Sequence, residues 1–269
     1  MSVNSNMKAW ILSIGNELLI GRIVNTNASW IAKQLTFLGI NVTRIITVPD
    51  IIDEIVEELE RGLKYANIII TTGGLGPTYD DKTLEAVAKA TKRNLVLNSE
   101  ALNMISMKFS KGNLPMTKER EKMAYMPEGA IPLKNSAGTA PGSYLEINGK
   151  IIISLPGVPK EMEAIFEEEV IDRIKKIIPP ISVIECGFKV EGVPESSLAP
   201  ILEQVDKKFS NLYIKSHPKG IEVGGPILEI KVLASDKDKN KAKEIAESAL
   251  KIVKEQAEKL KGKISEEYC

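Results

Sequence analysis

The sequence predicts an α/β protein, a mostly parallel sheet layered between helices, followed by a small α+β domain. Three observations predict it. Ala9–Ile14 and Asn67–Thr72 are short, nearly continuous apolar runs of the kind found in strands covered on both faces. Stretches with helical spacing separate these runs, so successive strands need crossover connections and lie parallel. Pro179-Pro180 then interrupts the chain, and the pattern beyond it changes. These features place the domains at 1–178 and 181–262.

The elements follow in order. After the first strand comes the loop Gly15–Gly21. A helix capped at Asn25 or Asn27 carries Ile31, Leu35 and Leu38 on one face and stops at Gly39. Val42–Val48 is the second strand. The next helix repeats Ile52, Ile55, Val56, Leu59 and Leu63, and Asn67–Thr72 is the third strand. After Thr91 the pattern is more helical, to about Ala124. Tyr144–Ile147 and Ile151–Leu155 flank Asn148-Gly149, a strong hairpin turn signal. A helix opens after Leu155-Pro156-Gly157-Val158-Pro159 and includes Met162, Ile165, Phe166 and Val170. Beyond the prolines the order is strand (181–190), helix (194–207), strand (212–216), a Gly/Pro-rich loop, strand (227–234) and a helix over 237–260. That last helix places Ala242, Ile245, Ala246, Ala249, Leu250 and Val253 on one face.

Composition narrows the functional classes. Of 269 residues, 43% are hydrophobic and 27% charged, an ordinary globular balance. Lys plus Arg and Asp plus Glu both number 36, so no electrostatic argument favours nucleic acid or a membrane surface. No apolar run approaches the ~20 residues that span a bilayer, and the short run after Lys8 reads as a strand rather than a signal peptide. Cys186 and Cys269 are far apart and read as two free thiols, neither zinc site nor disulfide framework. A reducing, cytoplasmic setting follows. The abundance of Ile, Lys and Glu is of the thermophilic kind. His217 is the single histidine, which excludes a serine–histidine hydrolase or a multi-histidine zinc site and reads as a surface residue.

The segment with the most chemistry is Thr71-Thr72-Gly73-Gly74-Leu75-Gly76-Pro77-Thr78-Tyr79-Asp80-Asp81-Lys82-Thr83. A buried strand ends, glycines turn the chain and a helix begins. Backbone amides there can approach a phosphate, and the helix N-terminus favours its charge. Ligands of open α/β sheets sit at the carboxyl ends of the strands, where this loop lies. Asp80 and Asp81 add hard oxygen donors for a divalent metal. The alternative is a tight turn in which one of these aspartates only caps the helix. The loop is neither a Walker A motif nor a dinucleotide fingerprint, because both the Gly-Lys-Ser/Thr ending and the glycine spacing are missing.

Gly-Gly-Leu-Gly-Pro-Thr-Tyr-Asp-Asp-Lys-Thr closely resembles the signature loop of the molybdopterin-binding (molybdenum-cofactor-biosynthesis) domain, and most closely its CinA branch. Residues 15–27, Asn135–Gly142 and Leu155–Met162 resemble three further motifs of that branch, so the resemblance covers residues 8 to about 170. The part beyond Pro180 is similar in element order (β-α-β-β-α) and size to the KH-like domain of the same proteins. It has no Gly-x-x-Gly nucleic-acid clamp. Many members carry an additional amidase domain, for which this chain has no room.

The resemblance implies hydrolysis of the pyrophosphate link of ADP-ribose, or of a similar dinucleotide, to AMP and a sugar phosphate. The expected cofactor is Mg²⁺, Mn²⁺ or Co²⁺. It implies Asp81 and Asp50 as catalytic residues and Asp80 and Asp81 as metal ligands. Ligand contacts would come from Gly73, Gly74, Leu75, Gly76, Thr78, Glu17, Asn27, Ser136, Gly138, Thr139, Gly157 and Lys160. Asp50 precedes a helix and also suits a cap; Glu17 could instead hold its loop, and Lys160 could be a solvated charge. Two other functions share such a cleft: adenylyl transfer to molybdopterin, and a non-catalytic nucleotide or pterin receptor, including a subunit for a separate amidase. A homodimer is the expected assembly.

Overall fold

The computed structural model describes residues 7–222 and 225–269. The described residues divide into two compact units, one formed by residues 7–35 and 42–178 and the other by 36–41 with 179–222 and 225–269.

The larger unit begins with β1 (Lys8–Ile14), α1 (Asn16–Leu19), α2 (Thr26–Phe37), β2 (Asn41–Val48), α3 (Ile52–Tyr65), β3 (Ile68–Thr72) and α4 (Thr83–Ala90). It continues through β4 (Leu95–Leu97), α5 (Ser99–Lys111), α6 (Lys118–Lys122), β5 (Tyr125–Pro127) and β6 (Ile131–Leu133). It closes with β7 (Gly142–Ile147), β8 (Lys150–Leu155), α7 (Pro159–Ile165), a π-helical turn at Phe166–Val170 and α8 (Ile171–Lys175). The main sheet has the order β2-β1-β3-β8-β7-β6. β3 is its central parallel strand, with Ile70 opposite Ile11 on one side and Ile153 on the other. β7 and β6 are antiparallel additions at one edge.

Apolar residues on both sides of β1 explain the two helical layers. Trp10, Leu12 and Ile14 join Ile55 and Leu59 of α3, Val87 of α4 and Ile105 of α5 in one core. On the other face Ile31 and Leu35 of α2 and Met162 and Ile165 of α7 are fully buried, and Trp30 meets Phe166 edge to face at 5.3 Å. The expected Asn148-Gly149 turn is present: Ile147 pairs with Lys150, and both turn residues have positive φ (50° and 73°). Asn25 caps α2 by accepting from the Ala28 amide at 3.2 Å.

Several expectations need correction. The region after Thr91 is not purely helical, because β4 pairs with β5. Those strands have three residues each, too few to show an alternation. A short helix, α1, occupies the expected Gly15–Gly21 loop.

The smaller unit contains β9 (Ser182–Glu191), α9 (Glu195–Lys208), β10 (Leu212–Glu222), β11 (Gly225–Asp236), α10 (Lys239–Lys259) and β12 (Lys263–Tyr268). Its sheet runs β10-β11-β9-β12, antiparallel throughout. α10 buries Ala242, Ala246, Ala249, Val253 and Ala257 against it. The expected loop between two short strands is a long hairpin instead, with residues 223–224 outside the described residues. The predicted β-α-β-β-α order omitted β12, whose Lys-Ile-Ser-Glu-Glu-Tyr composition hides an edge strand.

The cysteines are not free thiols: Cys186 and Cys269 form a disulfide across 83 residues. β12 explains the pairing. Tyr268 lies opposite Gly187, so the antiparallel register carries the next residue to Cys186.

Candidate functional site

The carboxyl ends of β1, β2, β3 and β8 open into a cleft of about 680 Å³. Its floor is the glycine loop. Gly73 has φ +98°, and a Cβ there would collide with the Ile14 carbonyl; at Gly74 (φ +66°) it would strike Thr83. Only glycine lets the loop turn this tightly beside β1. The Thr83 hydroxyl donates to the Gly73 carbonyl at 2.7 Å and fastens the loop to the first turn of α4.

The amides of this loop do different jobs. Gly73 N–H donates to the Leu155 carbonyl at 3.0 Å, so the expectation that it holds a ligand is corrected: this amide is consumed in the scaffold. Those of Gly74, Leu75 and Gly76 have no protein acceptor among the described residues. Three consecutive amides at a helix entrance form an anion-binding concavity.

Neither aspartate caps α4, whose N-cap residue is Lys82 and has no side-chain bond. Asp81 instead folds back on the loop, with Oδ2 accepting from the Thr78 amide at 2.8 Å and from its hydroxyl at 2.5 Å. The same hydroxyl lies 2.5 Å from Asp80 Oδ1. With one proton, it satisfies one carboxylate at a time. Thr78's hydrogen bond is the main reason Asp80 titrates below the usual carboxylate value, with Lys122 and Lys82 assisting. Lys122 donates to the Thr78 carbonyl from outside the cleft.

Asp50 enters from the end of β2. It does not cap α3, whose N-cap is Ile51; its Oδ2 accepts from the Asn16 amide at 2.9 Å and holds α1 in place. Asn27 bridges α2 to the turn between β8 and α7, donating from Nδ2 to the Gly157 carbonyl at 2.8 Å, while its buried Oδ1 has no partner.

Glu17, Asn27, Asp50, Gly73–Gly76, Thr78, Asp80, Asp81, Gly138, Thr139 and Gly157 all line this one cleft. Two expected residues do not. Ser136 turns its hydroxyl to Glu168 at 2.6 Å, and Lys160 stands exposed on the first turn of α7. Its neighbour Glu161 lines the cleft instead. Charge alone favours the cation Lys160 for meeting a phosphate, and no sequence signal separates it from the adjacent helical position. His217 lies on β10, in the other unit.

The ionisable side chains lining the cleft are Glu17, Asp50, Asp80, Asp81 and Glu161, with no lysine, arginine or histidine among them. This acidic wall repels a bare phosphate. The donor set fits a hard divalent cation that arrives with its anion. Among the described residues no three His, Cys, Asp or Glu side chains stand close enough to hold a metal by themselves. Mg²⁺ commonly uses one or two carboxylates plus substrate phosphates and water.

Residues 10–176 match the family model described as a probable molybdopterin binding domain. A protein of Aeropyrum pernix is 50% identical over 260 residues, covering 97% of both chains. One from Pyrobaculum calidifontis is 49% identical over 243 residues, covering 90% of this chain and 93% of its own. The crystal structure of the protein CinA with unknown function from Thermoplasma acidophilum superposes with a TM-score of 0.58 at 42% identity, covering 61% of this chain and 98% of that one. Among the described residues no helix is long and apolar enough to cross a membrane.

Proposed function

Since the chain belongs to the probable molybdopterin binding domain family, we propose that its cleft binds a phosphorylated pterin or nucleotide as a complex with a divalent cation. One observation carries this reading: Gly74, Leu75 and Gly76, whose amides have no protein acceptor among the described residues, line a cleft whose charged side chains are all carboxylates. The amides accept the phosphate, and the cation offsets the repulsion between that phosphate and the acidic wall.

Asp50 and Asp81 are the carboxylates that would hold the cation. Each has one oxygen engaged with a backbone amide, which fixes its direction, and each has its other oxygen available. Asp80 flanks the same turn and would take part directly or through water. A bound divalent cation polarises phosphoryl oxygen and acidifies its water. The chain's own contribution is to hold the phosphate on the amides and orient the carboxylates.

The catalytic form of this proposal is cleavage of the phosphoanhydride of ADP-ribose to AMP and a sugar phosphate. What supports it is that Asp50 and Asp81 line the same cleft as the phosphate loop. Adenylyl transfer would use the same groups differently: the acceptor's phosphate would attack the α-phosphorus of a nucleoside triphosphate and pyrophosphate would leave. The test is calorimetric titration of the full chain with inorganic pyrophosphate, AMP and ADP-ribose, with and without Mg²⁺, followed by an assay for AMP release. Binding that requires Mg²⁺ supports the reading, and AMP release supports its catalytic form. Metal-independent binding, or none, overturns it.

A further inference from the structure

β4 consists of Leu95, Val96 and Leu97, and all three are large, apolar and exposed, at 38%, 39% and 42%. Successive side chains of a strand point to opposite faces, so neither face of β4 is covered. Among the described residues its one strand partner is β5.

The pairing with β5 shows which edge of β4 is open. The Asn98 amide donates to the Ala124 carbonyl at 2.9 Å, and the Glu128 amide to the Asn94 carbonyl at 2.8 Å. Hydrogen-bonded pairs alternate along an antiparallel ladder. Asn94, Val96 and Asn98 therefore turn their backbone groups to β5, while Leu95 and Leu97 turn theirs outward. The outer edge of β5 is blunted, because Pro127 has no N–H and its carbonyl accepts from the Ala130 amide at 2.9 Å. β4 has no proline, charge or bulge, the usual guards against pairing with another chain.

We propose that the outer edge of β4 pairs with the same edge of a second copy of this chain, antiparallel, across a two-fold axis at Val96. Such a contact needs a self-complementary surface, and the charges around β4 supply one. Lys92 and Arg93 precede the strand and Glu100 follows it, with Lys92 and Glu100 both exposed. Antiparallel pairing sets the basic end against the acidic end, and centring on Val96 brings Lys92 to Glu100 of the second copy at both ends. The same register pairs Leu95 with Leu97 of the second copy and Leu97 with its Leu95, so no outward backbone group of β4 is left unpaired. The contact also adjoins the phosphate loop. Leu95 and Tyr125 line a recess of about 220 Å³ that is bounded by Gly74–Gly76 and Asp81. Residues opposite one another share a face of the sheet, so Leu97 of the second copy lies beside Leu95 at the rim of that recess.

The experiment is sedimentation velocity and oxidative cross-linking of the full chain, native and as V96C, L95C and V96K. Both native cysteines are held in Cys186–Cys269, so the introduced thiol is the one that reacts. Opposed residues at a non-hydrogen-bonded site have Cα atoms about 4.5 Å apart, within the span of a disulfide. The two copies of position 95 are diagonal neighbours, roughly 7–8 Å apart and beyond that span. The expected result is a native dimer at about 100 μM chain. V96C should form a covalent dimer at least about tenfold faster than L95C. V96K sets like charges against each other at the axis and should raise the dissociation constant at least about tenfold, with an unchanged far-ultraviolet dichroism spectrum. A monomeric native chain overturns the inference, as does a dimer that V96K leaves intact. L95C cross-linking as fast as V96C overturns the axis at Val96. If V96K fails to fold, the V96C and L95C rates decide alone.

Discussion

Thr78 and Asp81 close a four-residue turn on themselves. The carboxylate accepts the threonine amide at 2.8 Å while the Asp81 amide donates back to the Thr78 carbonyl at 3.2 Å. This reciprocal pair sets the direction of Asp81 before any ligand arrives. A Cβ on Gly76 would lie 2.7 Å from Asp81 Oδ2, so the glycine is part of the same arrangement.

Thr78→Val removes the hydroxyl but keeps the amide. Asp80 should then titrate closer to its ordinary value of 3.8, because Thr78 is the largest cause of its depression. The sign follows from linkage: a carboxylate lowered in the folded state contributes stability above its unfolded pKa and loses it as pH falls through the folded value. The variant should therefore lose its Asp80 contribution at a higher pH than the native protein. Carboxyl-carbon NMR titration between pH 2 and 6 measures it; an unmoved Asp80 would contradict the assigned cause.

Asp50→Asn and Asp81→Asn should abolish Mg²⁺-dependent pyrophosphate binding, whereas Lys160→Ala and His217→Ala should leave it unchanged. The first two line the cleft; Lys160 is solvated and His217 is on another sheet. Parallel calorimetric titrations decide the matter, and equal effects in all four would mean the site is misplaced.

Gly73→Ala and Gly149→Ala test whether space or backbone conformation governs the glycine loop. Both residues have positive φ, but a Cβ on Gly149 meets nothing within 4 Å, while one on Gly73 runs into the Ile14 carbonyl. Gly149→Ala should cost about 1 kcal/mol from strain alone. Gly73→Ala should cost roughly 2–5 kcal/mol, because displacement of β1 adds to that strain. Urea denaturation gives both values, and similar midpoints would refute the proposed clash.

Reduction of Cys186–Cys269, or Cys269→Ser, should destabilise the smaller unit. A closed loop of 83 residues corresponds to about 4–5 kcal/mol in the chain-entropy account, less if the unfolded chain stays compact. Melting curves with and without reductant, alongside alkylation and intact mass, report both the loss and the number of protected thiols. Two reactive thiols in the untreated protein would remove the bridge from the account.

The sequence by itself determined the elements whose physics is local. Continuous apolar strands, helical periodicity in Ile52–Leu63, the Asn148-Gly149 turn and a glycine-rich strand-to-helix loop all declare themselves within a few residues. The same local logic placed Asp50, Asp81 and Asn27 at the ends of elements that the parallel topology gathers into one cleft. Tertiary structure decided what depends on distant partners. The Gly73 amide is consumed by Leu155, far along the chain, and Ser136 is diverted to Glu168. The choice between Lys160 and Glu161 rests on how α7 meets the Asn135 loop. β12 and its disulfide arise because a polar terminal segment finds the open edge of β9, and edge pairing relies on backbone groups that residue identity scarcely encodes.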